Sequence, residues 1–170
     1  MRVKYWQIAM TGALMAGLAA CGSESETPAD PTVEQELAAN PDMPAGIRVA
    51  EGAWLSLPAV PGNPGAVYFS MINASNSDAT VVAVDVTGAG NAMIHRTVMT
   101  EGTASMTDMD EIIVPAGKTV SLRPGEMHVM AMQLDPSLEV GGETEATVIF
   151  ANGDKASFPV LIRSAGDPGS

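Results

Sequence analysis

Hydrophobic and polar positions divide the chain into three regimes. Ile8 to Ala20 is an apolar run broken only by Thr11 and small glycines, and Arg2 and Lys4 precede it. Its 13 residues are too short to span a bilayer at about 1.5 Å per residue. A charged start, a short apolar stretch and small residues at its end read as a secretory signal over residues 1–20. From Gly22 to about Gly46 the chain is acidic, carries four prolines and is nearly free of large apolar residues. Such a segment buries too little surface to offset its ordering entropy, so residues 21–46 are expected to act as a flexible tether. At most, Thr32 to Ala39 could form a helical turn.

The third regime, residues 47–163, alternates short β-prone runs with turn signals. The runs are Ala66–Ile72, Thr80–Thr87, Ala92–Val98, Glu111–Val114, Lys118–Leu122, Met127–Leu134, Glu143–Ala151 and Lys155–Ile162. Between them lie Gly88-Ala89-Gly90, Glu101-Gly102, Pro115-Ala116-Gly117, Pro124-Gly125, Asp135-Pro136 and Asn152-Gly153-Asp154. Asn-Gly between two such runs is a strong hairpin signal. No segment after Ile47 has the length and 3.6-residue period of a good helix. Short strands at intervals near ten residues predict an all-β domain, an antiparallel Greek-key sandwich or small barrel. Residues 164–170 read as a frayed tail.

Charge narrows the partners. The 170 residues carry 8 Lys and Arg against 20 Asp and Glu, a net charge of -12. Loss of residues 1–20 removes Arg2 and Lys4 and no acid, leaving -14. This balance excludes nucleic acid, which needs a basic stripe, and polybasic adhesion to anionic lipid. Nothing in the sequence argues for more than a monomer.

Cys21 is the single cysteine, so no intramolecular disulfide is available. It closes Leu18-Ala19-Ala20-Cys21, which resembles the bacterial lipobox. That resemblance implies cleavage before Cys21, its lipidation, and an anchored protein facing the periplasm from one of the envelope membranes. Multiple acyl chains give stable anchoring where a single chain gives marginal binding. A lipidated Cys21 could be neither a metal-binding thiolate nor a nucleophile. Asn73-Ala74-Ser75 matches a glycosylation sequon, which means little in a bacterial lipoprotein.

Methionine is the unusual component. There are 12 methionines and two histidines, and seven of the methionines lie with both histidines between Met93 and Met132. Thioether sulfur is a soft, neutral donor suited to Cu(I). It survives in an oxidising compartment, where thiolates would pair as disulfides. On a strand, His128, Met130 and Met132 share one face, and Met127, Val129 and Ala131 the other. Met106 and Met109 fall in a polar stretch, Thr103 to Asp110, expected to be a loop. Methionine is also a good filler of irregular cores, and Met71, Met93, Met99 and Met127 are expected in that role. On residue chemistry alone, copper binding and packing both remain open.

The spacing goes further. His95, Met106, His128 and Met130 form H-x10-M-x21-H-x-M, which resembles the signature of the periplasmic copper chaperone family called PCuAC. The flanks Val114-Pro115-Ala116-Gly117 and Leu122-Arg123-Pro124-Gly125-Glu126-Met127 agree with it, as do Ala53-Trp54 and Ala66 to Asn73. The similarity covers about residues 47–162. It implies a cupredoxin-like antiparallel sandwich in which His95, Met106, His128 and Met130 bind one Cu(I) at a partly exposed end. It also implies a copper-accepting partner, either a cytochrome oxidase subunit or a thiol-bearing relay chaperone. The tail after Ile162 holds no His or Met, which speaks against a second site of the kind some members carry there.

Other functions fare worse. An electron-transfer cupredoxin needs a cysteine ligand, and Cys21 is committed to the lipobox. No nucleophile with a paired base and no open carboxylate–histidine cluster points to an enzyme. Zinc is disfavoured, because structural zinc sites use thiolate, imidazole and carboxylate donors. A periplasmic copper buffer or resistance protein would use the same four residues as a chaperone.

Overall fold

A computed structural model describes residues 46–50, 52–100 and 102–167. The signal segment, Cys21, the acidic tether, the helical turn expected over Thr32–Ala39 and residues 168–170 lie outside them.

The described chain forms twelve strands and no helix. They are β1 (Ile47–Val49), β2 (Trp54–Ser56), β3 (Gly65–Tyr68), β4 (Ser70–Asn73), β5 (Ala79–Val86) and β6 (Asn91–Thr100). The rest are β7 (Thr103–Asp108), β8 (Ile112–Val114), β9 (Thr119–Ser121), β10 (Met127–Met132), β11 (Glu143–Phe150) and β12 (Lys155–Arg163). Nine of them form one sheet in the order β7-β6-β10-β3-β2-β12-β11-β5-β8, and β1-β4-β9 form a second. The long sheet bends round so that β5 lies against β6. This is the expected cupredoxin-like all-β sandwich.

Period-two alternation decides which side chains go inside. On β12, Ala156, Phe158, Val160 and Ile162 are buried. Ala146, Val148 and Phe150 on β11 meet them, as do Val81, Val84 and Val86 on β5. From the other half of the sheet come Leu55, Val67, Ile94, Val129 and Ala131. Burial of the Val, Leu, Ile and Phe side chains among them, each worth about 1.5–3 kcal/mol, is the main stabilising term.

Three features depart from the sequence expectation. The run Ala66–Ile72 is two strands. The chain changes sheet at Phe69, whose buried ring packs against Phe158 with centroids 5.0 Å apart. β12 pairs β2 in parallel, with Leu161 opposite Trp54. The two strands are nearly the length of the domain apart in sequence, so no hairpin dictates their direction. Finally, the polar stretch after Glu101 is a strand, β7, exposed along its whole length at the edge of the sheet. It lacks the apolar alternation that marks a half-buried strand, because neither of its faces meets the core.

Asn73 closes the β4 end. Its buried side chain donates to the carbonyls of Ser77 at 2.8 Å and Val114 at 2.9 Å. Its Oδ1 accepts from the Ser75 amide at 2.9 Å and the Ser75 hydroxyl at 2.7 Å. The sequon asparagine is therefore an internal clamp.

Candidate metal centre

β6, β10 and β7 carry the four residues singled out by spacing. Ile94 and Val129 turn into the core, so their strand neighbours His95 and His128 project from the opposite face. Register sets His95 directly across from His128. Their ring centroids are 5.9 Å apart with an interplanar angle of 49°. Both are buried although they point away from the core, at 9% and 5% relative exposure. One step further across the sheet the Tyr68 ring lies 6.3 Å from His128, and Trp54 lies 5.0 Å from Tyr68. Arg163 stacks over Trp54 at 5.6 Å. This aromatic row walls the histidine pair on the β3 side.

The two imidazoles differ in their partners. His128 Nδ1 lies 3.4 Å from the Glu126 carbonyl. If Nδ1 carries the proton, Nε2 keeps its lone pair for a metal, the usual arrangement of a ligating histidine. Burial lowers the His128 pKa below 6.5; the Glu126 carbonyl opposes this and nearby His95 adds to it. The residue is thus held neutral, as a ligand must be. Neither nitrogen of His95 has a hydrogen-bond partner, and both are buried. Nε2 does lie 3.2 Å from the carboxylate of Asp108, without hydrogen-bond geometry. Buried polar atoms left unpaired are costly, and a metal ion would relieve that cost.

The methionines flank this pair. Met130 sits two residues beyond His128 on the same face, half-buried and opposite Met93. Met106 is opposite Thr97, which puts it on the His95 face but on the other side of the histidine rung from Met130. It is 60% exposed. The structure therefore brings His95 and His128 into contact and sets the two spacing methionines on either side of them.

Among the remaining methionines, Met71 is fully buried and Met127 is packed against the core, as expected. Met109 lies in the loop after β7, as expected, but its side chain packs against the core. Met93 and Met99 are not core fillers: they are 37% and 64% exposed and share the outward face of β6 with His95. The signal was present in strand parity, since both are an even number of residues from His95.

The donor set suits a soft monovalent ion. Among the described residues no three His, Cys, Asp or Glu side chains gather into a metal cluster. The thioethers of Met130 and Met106 flank the histidine pair on its outward face, and sulfur donors beside imidazole suit copper better than harder ions.

Comparison with known proteins adds three findings. Residues 49–162 match the family model described as "Putative lipoprotein LpqE-like". A relative from Leifsonia xyli, "Putative lipoprotein Lxx21020", is 29% identical over 119 residues, 69% of this chain and 70% of that one. The fold is shared with solved domains. One is a copper-bound PCuAC domain from PmoF2, at TM-score 0.58 and 18% identity over 70% of this chain and 93% of that one. Another is the Cu(I)-bound solution structure of DR1885 from Deinococcus radiodurans, at TM-score 0.56 and 24% identity over 70% of this chain and 79% of that one.

Proposed function

This chain belongs to the LpqE-like family, and on that premise we propose that it is a lipid-anchored periplasmic Cu(I) chaperone. The observation that carries the reading is the His95–His128 pair, buried on a coreless face with both His95 nitrogens lacking hydrogen bonds. The shared fold with copper-bound domains supports it. Copper is cargo here, held by His95, Met106, His128 and Met130, with Cys21 as the anchor.

The ligands determine the direction of transfer. Imidazole and thioether donors are neutral, so they leave the charge of Cu(I) uncompensated and hold it less firmly than a thiolate pair would. Copper then passes downhill by ligand exchange to a thiol-bearing relay protein or to the copper centre of a cytochrome oxidase subunit. Met106 lies on an exposed edge strand, where an incoming acceptor reaches it first, and it is the first ligand to let go. The buried histidines and half-buried Met130 hold the ion until exchange is complete.

A Cu(I) competition titration against a chromophoric chelator, under reducing and anaerobic conditions, tests the reading. One-to-one binding lost in a His128→Ala, Met130→Ala double variant is the expected result. Binding that the double variant retains would sink it. Delivery is separated from storage in a deletion strain: loss of oxidase activity marks delivery, and copper sensitivity alone marks a buffer.

A further inference from the structure

We infer that Met93 is a further copper ligand that exchanges with Met106, so that when Met106 is off the ion His95, His128, Met93 and Met130 form a two-histidine, two-methionine site on β6 and β10. The inference rests on the Cu(I) reading above and goes beyond its four residues.

Register carries the argument. His95↔His128 and Met93↔Met130 are cross-strand pairs of one antiparallel ladder, two residues apart along each strand. All four side chains project from the same face, because the intervening Ile94 and Val129 are buried in the core. Such a quadrilateral is about 5 Å across the strands and about 7 Å along them. Unbranched thioether side chains have the length and flexibility to converge on an ion beside the imidazoles. Met106 has a different relation to the pair. It lies on a third strand, opposite Thr97 and diagonal to His95, on the far side of the histidine rung from Met130.

Packing does not account for Met93. It is 37% exposed on a face that contributes no core residue from β6. An unbranched sulfur side chain there, directly across from a second one, places two soft donors side by side next to two imidazoles. The arrangement has a consequence for exchange. When Met106 leaves toward an acceptor, Met93 keeps the ion four-coordinate, so release need not pass through a site with three protein donors. Met93 thus serves retention during transfer, and Met106 serves contact with the acceptor.

The test uses the full chain with 13C-labelled methionine methyl groups, titrated with Cu(I) under reducing conditions. Met→Leu variants assign the signals and nearly conserve volume. The Met93 and Met130 methyl signals should shift together at one equivalent. Met93→Leu alone should lower affinity by less than about tenfold, and Met93→Leu with Met106→Leu by well over the product of the single losses. A Met93 signal that stays still while Met130 shifts overturns the inference and leaves the chaperone reading intact. If no methionine signal shifts and no copper is retained, both fall.

Discussion

The imidazoles of His95 and His128 face each other across the β6–β10 ladder, 5.9 Å apart at their centroids, on the side of the sheet that carries no core. They can therefore be changed without opening the interior, and binding and folding can be measured separately.

His128→Ala should weaken Cu(I) binding by at least about tenfold, equivalent to about 1.4 kcal/mol. Unfolding stability should fall by only about 1 kcal/mol, the ordinary size for a single substitution. Chelator competition and chemical denaturation on the same preparation read both quantities. A large loss of stability would mean that the pair is structural.

Without copper, acid should destabilise the protein through His128. Its pKa in the fold lies below 6.5 because of burial, so the unfolded chain takes up a proton first as pH falls. The stability it contributes is fully present above pH 6.5 and is lost as pH falls toward its folded value. Denaturation midpoints measured across this range should show the slope, and His128→Leu should flatten it.

Methionine substitutions should separate into two groups. Met71→Ala opens a cavity at a fully buried position and should cost about 2–5 kcal/mol. Met99→Ala and Met106→Ala, both at exposed positions, should change stability by less than about 0.5 kcal/mol. Of these two, only Met106→Ala should speed loss of copper to a thiol acceptor, measured by stopped-flow exchange.

Asn73→Ala should be costly for a polar-to-apolar change. It strands the buried carbonyl of Val114 and removes the acceptor of the part-buried Ser75 amide, while the Ser75 hydroxyl keeps the Ser77 carbonyl. Each buried group left unpaired costs about 1–3 kcal/mol. Thermal unfolding should show the loss, while copper affinity stays unchanged.

Gly102→Val should weaken the site through the backbone. Gly102 has φ 81°, a conformation that valine adopts poorly. It lies between Thr100 and Thr103, the last pair of the β6–β7 ladder. A slip of one residue there would turn Met106 to the opposite face. Reduced copper retention together with altered β7 amide protection in hydrogen exchange is the expected outcome.

Much of this architecture was legible in local chemistry. Val-rich runs with turn residues between them mark β5, β11 and β12 because alternation and turn formation act over a few residues. Edge strand β7 was read as a loop because its pairing to β6 depends on a neighbour, not on its own polarity. The outward position of Met93 was misread for a related reason. Residue type says that methionine packs well, and only the sheet shows that its face of β6 has no core to pack into.

By itself, the sequence determined strand parity, the turns, and the presence of soft donors at the positions of His95, Met106, His128 and Met130. Those follow from covalent geometry and from the chemistry of each side chain. Tertiary structure alone decided that His95 stands opposite His128, that Met93 stands opposite Met130, and that Met106 lies across the rung from them. Register between strands arises from hydrogen bonds and core contacts among residues distant in the chain, and no local pattern encodes it.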